Sequence, residues 1–434
     1  MQNDYADVAI VGGGAAGLAS AIFAAETAPV GSRIVVLDGA KTLGAKILVA
    51  GGGRCNVTHY LVAAKDFNGS QPVVRNVLSA FDVQATIRWF SSMGVALVQE
   101  PTGKLFPVAN TARAVLKALL DRCVALQVVL LTNCRVTKIV APSEEPSNSE
   151  PNFQIHHTQG VLRCASVIMS TGGRSLPRSG SDGAGWEMLS ALGHTVTETY
   201  AALVPLVLDA QMFHAELAGV SQDVALSVYV DAKRIDHRAG SMLWTHFGIS
   251  GPVVMDMSRH WTIAHEGAPE VSATPTLQCN LLPGESFQQV EQWLIQSGAK
   301  RPKASMLTHL SQRFTERTSA VLLRHARIDP MTVASQLPRD ARRALVHTLT
   351  ALVLPVMQHR GWNYAEVTAG GVPLNEVDFR TMQSRKVPGL YLAGEVLDCD
   401  GRIGGFNFQW AWATGFLAGK AAGAITRSNL NSVE

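Results

Sequence analysis

The chain has 434 residues, 47% of them hydrophobic and only 16% charged, with a formal net charge of +3. That length supports two or three globular domains with a packed core, and the near balance of charge excludes a chain built mainly to coat nucleic acid or an acidic membrane. Six cysteines, Cys55, Cys123, Cys134, Cys164, Cys279 and Cys399, stand far apart without a CxxC pair, so neither a disulfide framework nor a metal site is expected and a reducing cytoplasm fits best.

In chain order, Val8–Val11 reads as a buried strand, followed by a glycine turn, an Ala-rich helix from Ala15 to about Ala25, and a second strand, Ile34–Leu37, ending in Asp38. This is a βαβ unit. The uncharged run Val8–Ala25 imitates a membrane anchor, but Asp4 and Asp7 precede it, glycines interrupt it, and it is shorter than the roughly 20 apolar residues a span requires. No membrane partner is expected.

Asn110 and Thr111 can cap a helix whose apolar face is Val115, Leu116, Leu119 and Leu120, leading into a strand at Val128–Leu131. Strand-like pieces follow at Arg135–Val140, Phe153–His157, Val161–Cys164 and Ala165–Ser170, the last running into Thr171-Gly172-Gly173. Pro142 to Asn152, rich in Pro, Ser, Asn and Glu, reads as a surface loop. From about Val196 to Leu282 the pattern is β-like, broken by Gly and Pro. Between Pro283 and Thr350 it turns helical, with Phe287, Val290 and Leu294 on one face and Asp329-Pro330 as an N-cap and first helical residue. Gly389–Ala393 is a final strand, and a tightly packed helix runs from Asn407 onward.

Gly12-Gly13-Gly14-Ala15-Ala16-Gly17 satisfies GxGxxG after a strand and at the start of a helix, where a pyrophosphate can meet backbone N–H groups and the positive end of the helix dipole. In this reading Gly12 permits the turn, Gly14 admits the pyrophosphate, Gly17 lets helix and strand pack, and Asp38 accepts the hydroxyls of an adenosine ribose. Such a site fits NAD as well as FAD, and the C-terminal region favours FAD. Leu392-Ala393-Gly394-Glu395 ends a strand, and Gly404-Gly405-Phe406-Asn407-Phe408-Gln409 opens a helix, giving a second set of backbone donors suited to the flavin ring, which gains negative charge on reduction. A third cluster, Gly51-Gly52-Gly53-Arg54-Cys55-Asn56 with Lys46 before it, reads as a clamp: glycines for close approach, Arg54 for phosphate or a substrate carboxylate, Asn56 for a flavin edge. Cys55 has no resolving partner nearby and is read as a packed or flavin-contacting thiol.

Together with Thr171-Gly172-Gly173, Thr245-His246-Phe247-Gly248-Ile249-Ser250-Gly251-Pro252 and Ala369-Gly370-Gly371-Val372, these motifs resemble the BaiN/RdsA-like NAD(P)/FAD-dependent oxidoreductases, the aminoacetone oxidase-like flavoproteins. The resemblance implies an α/β fold: a Rossmann-like FAD-binding domain from both chain ends, residues 1–195 and 358–434, interrupted by a β-barrel-like insert at 196–282 and a helical insert at 283–357. It implies non-covalent FAD, with Gly12, Gly14, Ala16, Gly17, Asp38 and Lys46 at the adenosine and pyrophosphate end. Arg54, Cys55, Asn56, Gly394, Glu395, Gly405, Phe406, Asn407 and Gln409 would surround the flavin, and Gly53, Thr171 and Gly172 complete the cofactor set. The family more often has Glu at the position of Asp38 and Tyr at that of Phe406.

The implied chemistry is hydride transfer through flavin N5, with NAD(P)H or a small organic substrate as donor and an unsaturated acceptor or oxygen as oxidant. His246, in a Gly/Ser/Pro-rich loop, is the acid or base to test first, against the plainer reading of a structural histidine. Arg402 is a candidate for orienting an anionic substrate. Nucleic acid is not the expected partner, although the Pro283–Thr350 segment holds ten Lys/Arg against five Asp/Glu. An RNA-associated flavoprotein and a flavin sensor without turnover stand as the alternatives.

Overall fold

The computed structural model describes residues 4–142, 152–267 and 275–424. Most of the loop expected between Pro142 and Asn152 lies outside them. Two compact units emerge, Met1–Thr199 with Glu366–Glu434, and Tyr200–Ala365.

The first unit is built on a mixed sheet whose parallel strands are Tyr5–Val11, Ile34–Leu37, Val129–Leu131, Gly160–Met169 and Leu390–Leu392. Numbered along the chain their spatial order is 3-2-1-4-5, a doubly wound order in which the connection reverses between the first and fourth strands. Sequence reading divides the fourth strand at Cys164, but it is continuous. Its first half pairs antiparallel with Phe153–His157 and its second half parallel with Tyr5–Val11. Burial changes accordingly, from alternating residues to a fully covered run, and that change of pattern imitates a break.

Chain ends meet through two helices, Ala15–Thr27 and Phe406–Ala424. Gly415, Gly419 and Gly423 form one i, i+4 ridge on the second, and a Cβ at these positions would stand 2.8, 2.4 and 2.5 Å from the carbonyl oxygens of Ala16, Ser20 and Ala24. Only bare backbone allows that approach. Because the C-terminal helix is buried around most of its circumference, it shows almost no amphipathic pattern. Among the described residues no helix is long and apolar enough to cross a membrane.

In the second unit a seven-stranded sheet runs Leu352–Leu354, Thr276–Asn280, Ser221–Val230, Lys233–Thr245, Gly248–Ser250, Leu206–Leu208, Val356–His359. Its two edge strands are separated in sequence only by Pro355, so the sheet must curl until its edges approach, as in a barrel. Helices Phe287–Lys300, Met306–Leu310, Glu316–His325 and Arg339–Thr350 share one apolar cluster with these strands, Val224, Leu226 and Trp244 packing in the same core as Val290, Leu322 and Leu345. The β-like and helical stretches, read from sequence as separate inserts, are thus one unit.

Two local readings are corrected. Pro252–Glu266 is a helix inside the stretch read as β-rich: Val253, Met257 and Trp261 are buried at helical spacing, but β-branched residues and the preceding Gly and Pro imitate strand punctuation. Asp329-Pro330 does not open a helix. Asp329 accepts from the Met331 N–H at 2.9 Å in a local turn, Thr332 and Pro330 accept from the Met306 and Leu307 N–H groups, and the next α-helix begins at Arg339.

Candidate functional site

Val11 pairs with Met169, and Met169 with Leu392, so three strands of the first unit end level with one another. The segments that leave them, Gly12–Gly17, Ser170–Gly173 and Ala393–Glu395, lie side by side at the reversal of strand order, where open α/β sheets bind ligands. Ser170 Oγ locks two of them together, 3.0 and 2.9 Å from the Val11 and Gly12 carbonyl oxygens. Gly12 (φ +103°) and Gly17 are required by the protein itself: a Cβ on Gly12 would lie 2.5 Å from the Ser170 carbonyl oxygen, and one on Gly17 would lie 1.8 Å from that of Gly12. Among the described residues a Cβ at Gly14 would meet no atom within 4 Å, and the helix that starts there has no side-chain cap. Helix N-termini leave N–H donors unsatisfied, so this turn offers donors beside open space. Asp38, at the end of the second strand, accepts from the N–H groups of Gly13 at 2.6 Å and Ala40 at 2.7 Å, and each carboxylate oxygen retains a lone pair.

Lys46 and Glu395 are brought together across 349 residues of sequence, Nζ to Oε2, at 2.7 Å. Ser175 bridges them, 2.8 Å from Lys46 Nζ and 2.8 Å from Glu395 Oε1, and the Thr368 N–H donates to the same oxygen at 2.9 Å. Gly173 leaves room for this carboxylate, since a Cβ there would lie 2.7 Å from Oε1. No local pattern distinguishes Ser175 or Thr368, which sequence reading missed. Beside this network, Gly394 abuts Ala16, and the Thr171 and Ser181 hydroxyls are buried without partners among the described residues.

The Gly51–Gly53 tract follows a short helical turn and is exposed, with φ of +56°, +68° and +85°. Arg54 is engaged by protein partners: Nη1 lies 2.6 Å from Glu100 Oε1, and the guanidinium sits 3.9 Å from the centroid of the Phe106 ring. Cys55 is fully buried, and burial pushes its thiol up to about 12, which removes the thiolate a redox role needs. Asn56 is buried, and among the described residues its Oδ1 has no partner, an acceptor left unused.

At the start of the C-terminal helix the predicted side chains are committed to protein partners. Phe406 stacks on His59 with ring centroids 5.0 Å apart, and Asn407 accepts from the Gly401 N–H at 2.8 Å while donating to the Gly401 carbonyl at 2.9 Å. Gln409 is fully buried: Nε2 donates to the Phe81 carbonyl at 2.8 Å, and Oε1 lies 2.7 and 3.0 Å from the Thr58 and Thr86 hydroxyls. This amide, expected from sequence to contact the cofactor, clamps neighbouring segments in the protein. Gly405 abuts the Thr58 backbone, and Arg402 places Nη1 3.6 Å from Asp66 Oδ1. Backbone N–H groups of the first helical turn, rather than these side chains, are what this end can offer a ligand. His246 belongs to the second unit, exposed in the turn between Lys233–Thr245 and Gly248–Ser250, its ring edge-on to Phe247 at 5.2 Å.

These features fit a dinucleotide cofactor on the chain's own evidence: an open glycine cradle, an uncapped helix start, an unused buried acceptor and a lysine at the same sheet edge. Residues 6–421 match the HI0933-like protein Rossmann domain family. The chain is 32% identical over 416 residues to a 3-dehydro-bile acid delta(4,6)-reductase from Clostridium scindens, covering 96% of this chain and 98% of that protein. It is 31% identical to a ribosomal RNA dihydrouridine synthase from Escherichia coli, covering 94% and 96% respectively, so the expectation against nucleic acid gains no support. A 3-ketosteroid delta1-dehydrogenase structure from Sterolibacterium denitrificans shares the fold, with a TM-score of 0.52 and 12% identity over 97% of this chain and 100% of that one. The chain belongs to the HI0933-like Rossmann family of flavoproteins and has its α/β, Rossmann-type FAD-binding fold.

Proposed function

We propose that this chain is an FAD-dependent reductase acting on a carbon–carbon double bond conjugated to a carbonyl group, with NAD(P)H as the hydride source. The observation that carries the cofactor is the cradle at Gly14, where the glycine turn, the uncapped helix and open space coincide. Gly12, Gly14, Ala16, Gly17, Asp38 and Lys46 would hold the adenosine and pyrophosphate end. Asn56, Gly394, Glu395 and the first turn after Gly405 would hold the flavin end, with Gly53, Thr171 and Gly172 supplying backbone at close range. When bound, FAD supplies a centre that accepts and delivers hydride.

The chain's own part is positional and electrostatic. Glu395, just past the strand Leu390–Leu392, is fixed by Lys46, Ser175 and the Thr368 N–H and so ties that strand end to the segments carrying these three residues. The helix start at Phe406 places the positive end of a dipole at the same unit's C-terminal segment, favouring a ring that gains negative charge. His246 is the proposed proton donor to the reduced acceptor, and Arg402 a candidate for orienting it.

The names of the two relatives support the acceptor class. A delta(4,6)-reductase of a 3-dehydro-bile acid and a dihydrouridine synthase both saturate a double bond in conjugation with a carbonyl. RNA is a specific second reading of the acceptor, supported by the dihydrouridine synthase relative and by the ten Lys/Arg against five Asp/Glu in residues 283–350. Residues 196–357 are proposed to set acceptor choice, and six buried free cysteines support a cytoplasmic location.

The test is the absorbance spectrum of the purified protein, followed by anaerobic NADH or NADPH and then a 3-keto-4,6-diene steroid acid or a uridine-containing RNA. Flavin bands that bleach with the nucleotide and recover with one acceptor are expected. Bands that never bleach would remove the NAD(P)H donor, and absence of flavin even after added FAD would overturn the reading.

A further inference from the structure

We infer that Arg360, in the second unit, is a recognition residue for an oxyanion, a carboxylate or a phosphate, carried on an apolar or aromatic body. Its guanidinium carbon lies 4.1 Å from the centroid of the Phe247 ring and 3.7 Å from that of Tyr364. Its backbone is fixed as well, the Arg360 N–H donating to the Pro205 carbonyl at 3.0 Å. The side chain is half-buried, and among the described residues no carboxylate pairs with it.

Two other arginines show what is unusual here. Arg54 rests on Phe106 and Arg313 on Trp293, each within 4.2 Å of the ring centroid, and each is neutralised by a carboxylate, Glu100 and Glu285. Arg360 touches two rings and, among the described residues, has no such acid. The nearby carboxylate of Glu266 is engaged by His359 Nε2 at 2.7 Å, and His359 Nδ1 accepts from the Gly361 N–H at 2.8 Å, so that pair is itself fixed.

Rings against a guanidinium remove water from it and restrict its rotamers without satisfying any of its five N–H donors. A cation held in that state carries a desolvation cost that a bidentate oxyanion offsets, and the rings prepay the ordering of the fork. Tyr364 is 48% exposed, so an apolar or aromatic surface lies open beside the cation. The exposed imidazole of His246, edge-on to Phe247, adds a polar group to the same cluster. The site stands on this geometry alone; naming the acceptor of the reductase as its ligand rests on the reading above.

Binding is tested without turnover, by calorimetric titration of the full-length protein with cholate, its methyl ester, uridine 5′-monophosphate and uridine. The expected result is that at least one anionic probe binds about ten-fold or more tightly than its neutral counterpart, that Arg360→Gln erases this preference, and that Arg360→Lys keeps only part of it because charge without the fork remains. Preference for cholate identifies a carboxylate, and preference for the nucleotide a phosphate. Phe247→Leu, which leaves the cation but loosens its clamp, is expected to weaken the anionic probe while its preference over the neutral one survives. Equal binding of anionic and neutral probes by the unmodified protein, or an undiminished preference in Arg360→Gln, would overturn the proposal. A clear anion preference in a protein whose flavin never bleaches with NAD(P)H would leave the site in place and remove the reductase acceptor as its ligand.

Discussion

Two helices of the first unit, Ala15–Thr27 and Phe406–Ala424, begin after the glycines of the two motifs and use those glycines differently. At Gly14 a side chain would enter open space, whereas at Gly405 it would lie 2.6 Å from the Thr58 backbone, and the residues that follow, Phe406, Asn407 and Gln409, are bound to protein. One start is a cradle; at the other the glycine and the side chains after it form a joint that fixes the C-terminal segment onto the N-terminal one, leaving only backbone N–H groups to offer a ligand. Similar glycine-led sequence signals therefore divide into ligand space and close packing, and only the surroundings of the missing Cβ tell them apart.

The sharpest break in that comparison lies within the first motif. Gly17→Val places its Cβ 1.8 Å from a backbone oxygen that cannot move without the first strand's turn, so we expect a loss exceeding about 4 kcal/mol and little folded protein. Gly14→Ala adds a methyl where no protein atom stands, so the apo melting temperature should change by the equivalent of no more than about 1 kcal/mol. FAD affinity should nevertheless fall about ten-fold or more, read by flavin retained after gel filtration. A Gly14→Ala protein that keeps stoichiometric FAD would move the cradle elsewhere.

The joint is tested at Gln409. Removing its amide by Gln409→Ala leaves the Phe81 carbonyl and the Thr58 hydroxyl short of a buried partner, while Thr86 keeps the Asp82 carbonyl, which should cost about 2–4 kcal/mol in urea unfolding. Folded protein at low denaturant should still retain FAD. If FAD is lost while stability is unchanged, Gln409 is a ligand contact and the contrast between the two helix starts fails.

Much of the first unit was legible because its signals are local. The Gly12–Gly17 motif sits between a strand and a helix whose side chains are apolar at adjacent positions, and Asp38 ends the next strand. What was not legible depends on distant partners. Lys46 meets Glu395 across 349 residues, and the structural duty of Gln409 follows from Thr58, Thr86 and Phe81, none of which is adjacent in sequence. Pro252–Glu266 escaped for another reason: Val253 and Val254 carry strand propensity, while the burial that makes them helical comes from packing against the strands of the same unit. The clamp on Arg360 was likewise hidden, because Phe247 and Arg360 are far apart in the chain.

A smaller effect tests a second joint between the chain's two ends. His194 is buried, with Nδ1 2.7 Å from Glu376 Oε2 and Nε2 2.8 Å from Ser384 Oγ. Ser384 Oγ already accepts from the Lys386 and Val387 N–H groups, so its proton goes to Nε2 and the imidazole is neutral, donating from Nδ1 to Glu376. Burial holds the His194 pKa below its ordinary value, outweighing the opposing pull of Glu376. For Glu376 burial acts upward, but hydrogen bonds from Lys386, Thr195 and His194 prevail and bring it from 4.5 to about 2. Both folded values lie below the unfolded ones, so both contributions are present at neutral pH. The histidine's is lost as pH falls below 6.5, and the carboxylate's as pH falls from 4.5 towards 2. His194→Gln should therefore flatten the loss of melting temperature between neutral pH and about pH 5 while leaving the steeper loss at lower pH in place. An unchanged slope in that upper window would assign the early acid sensitivity to another group and leave Gln409 as the better-supported joint.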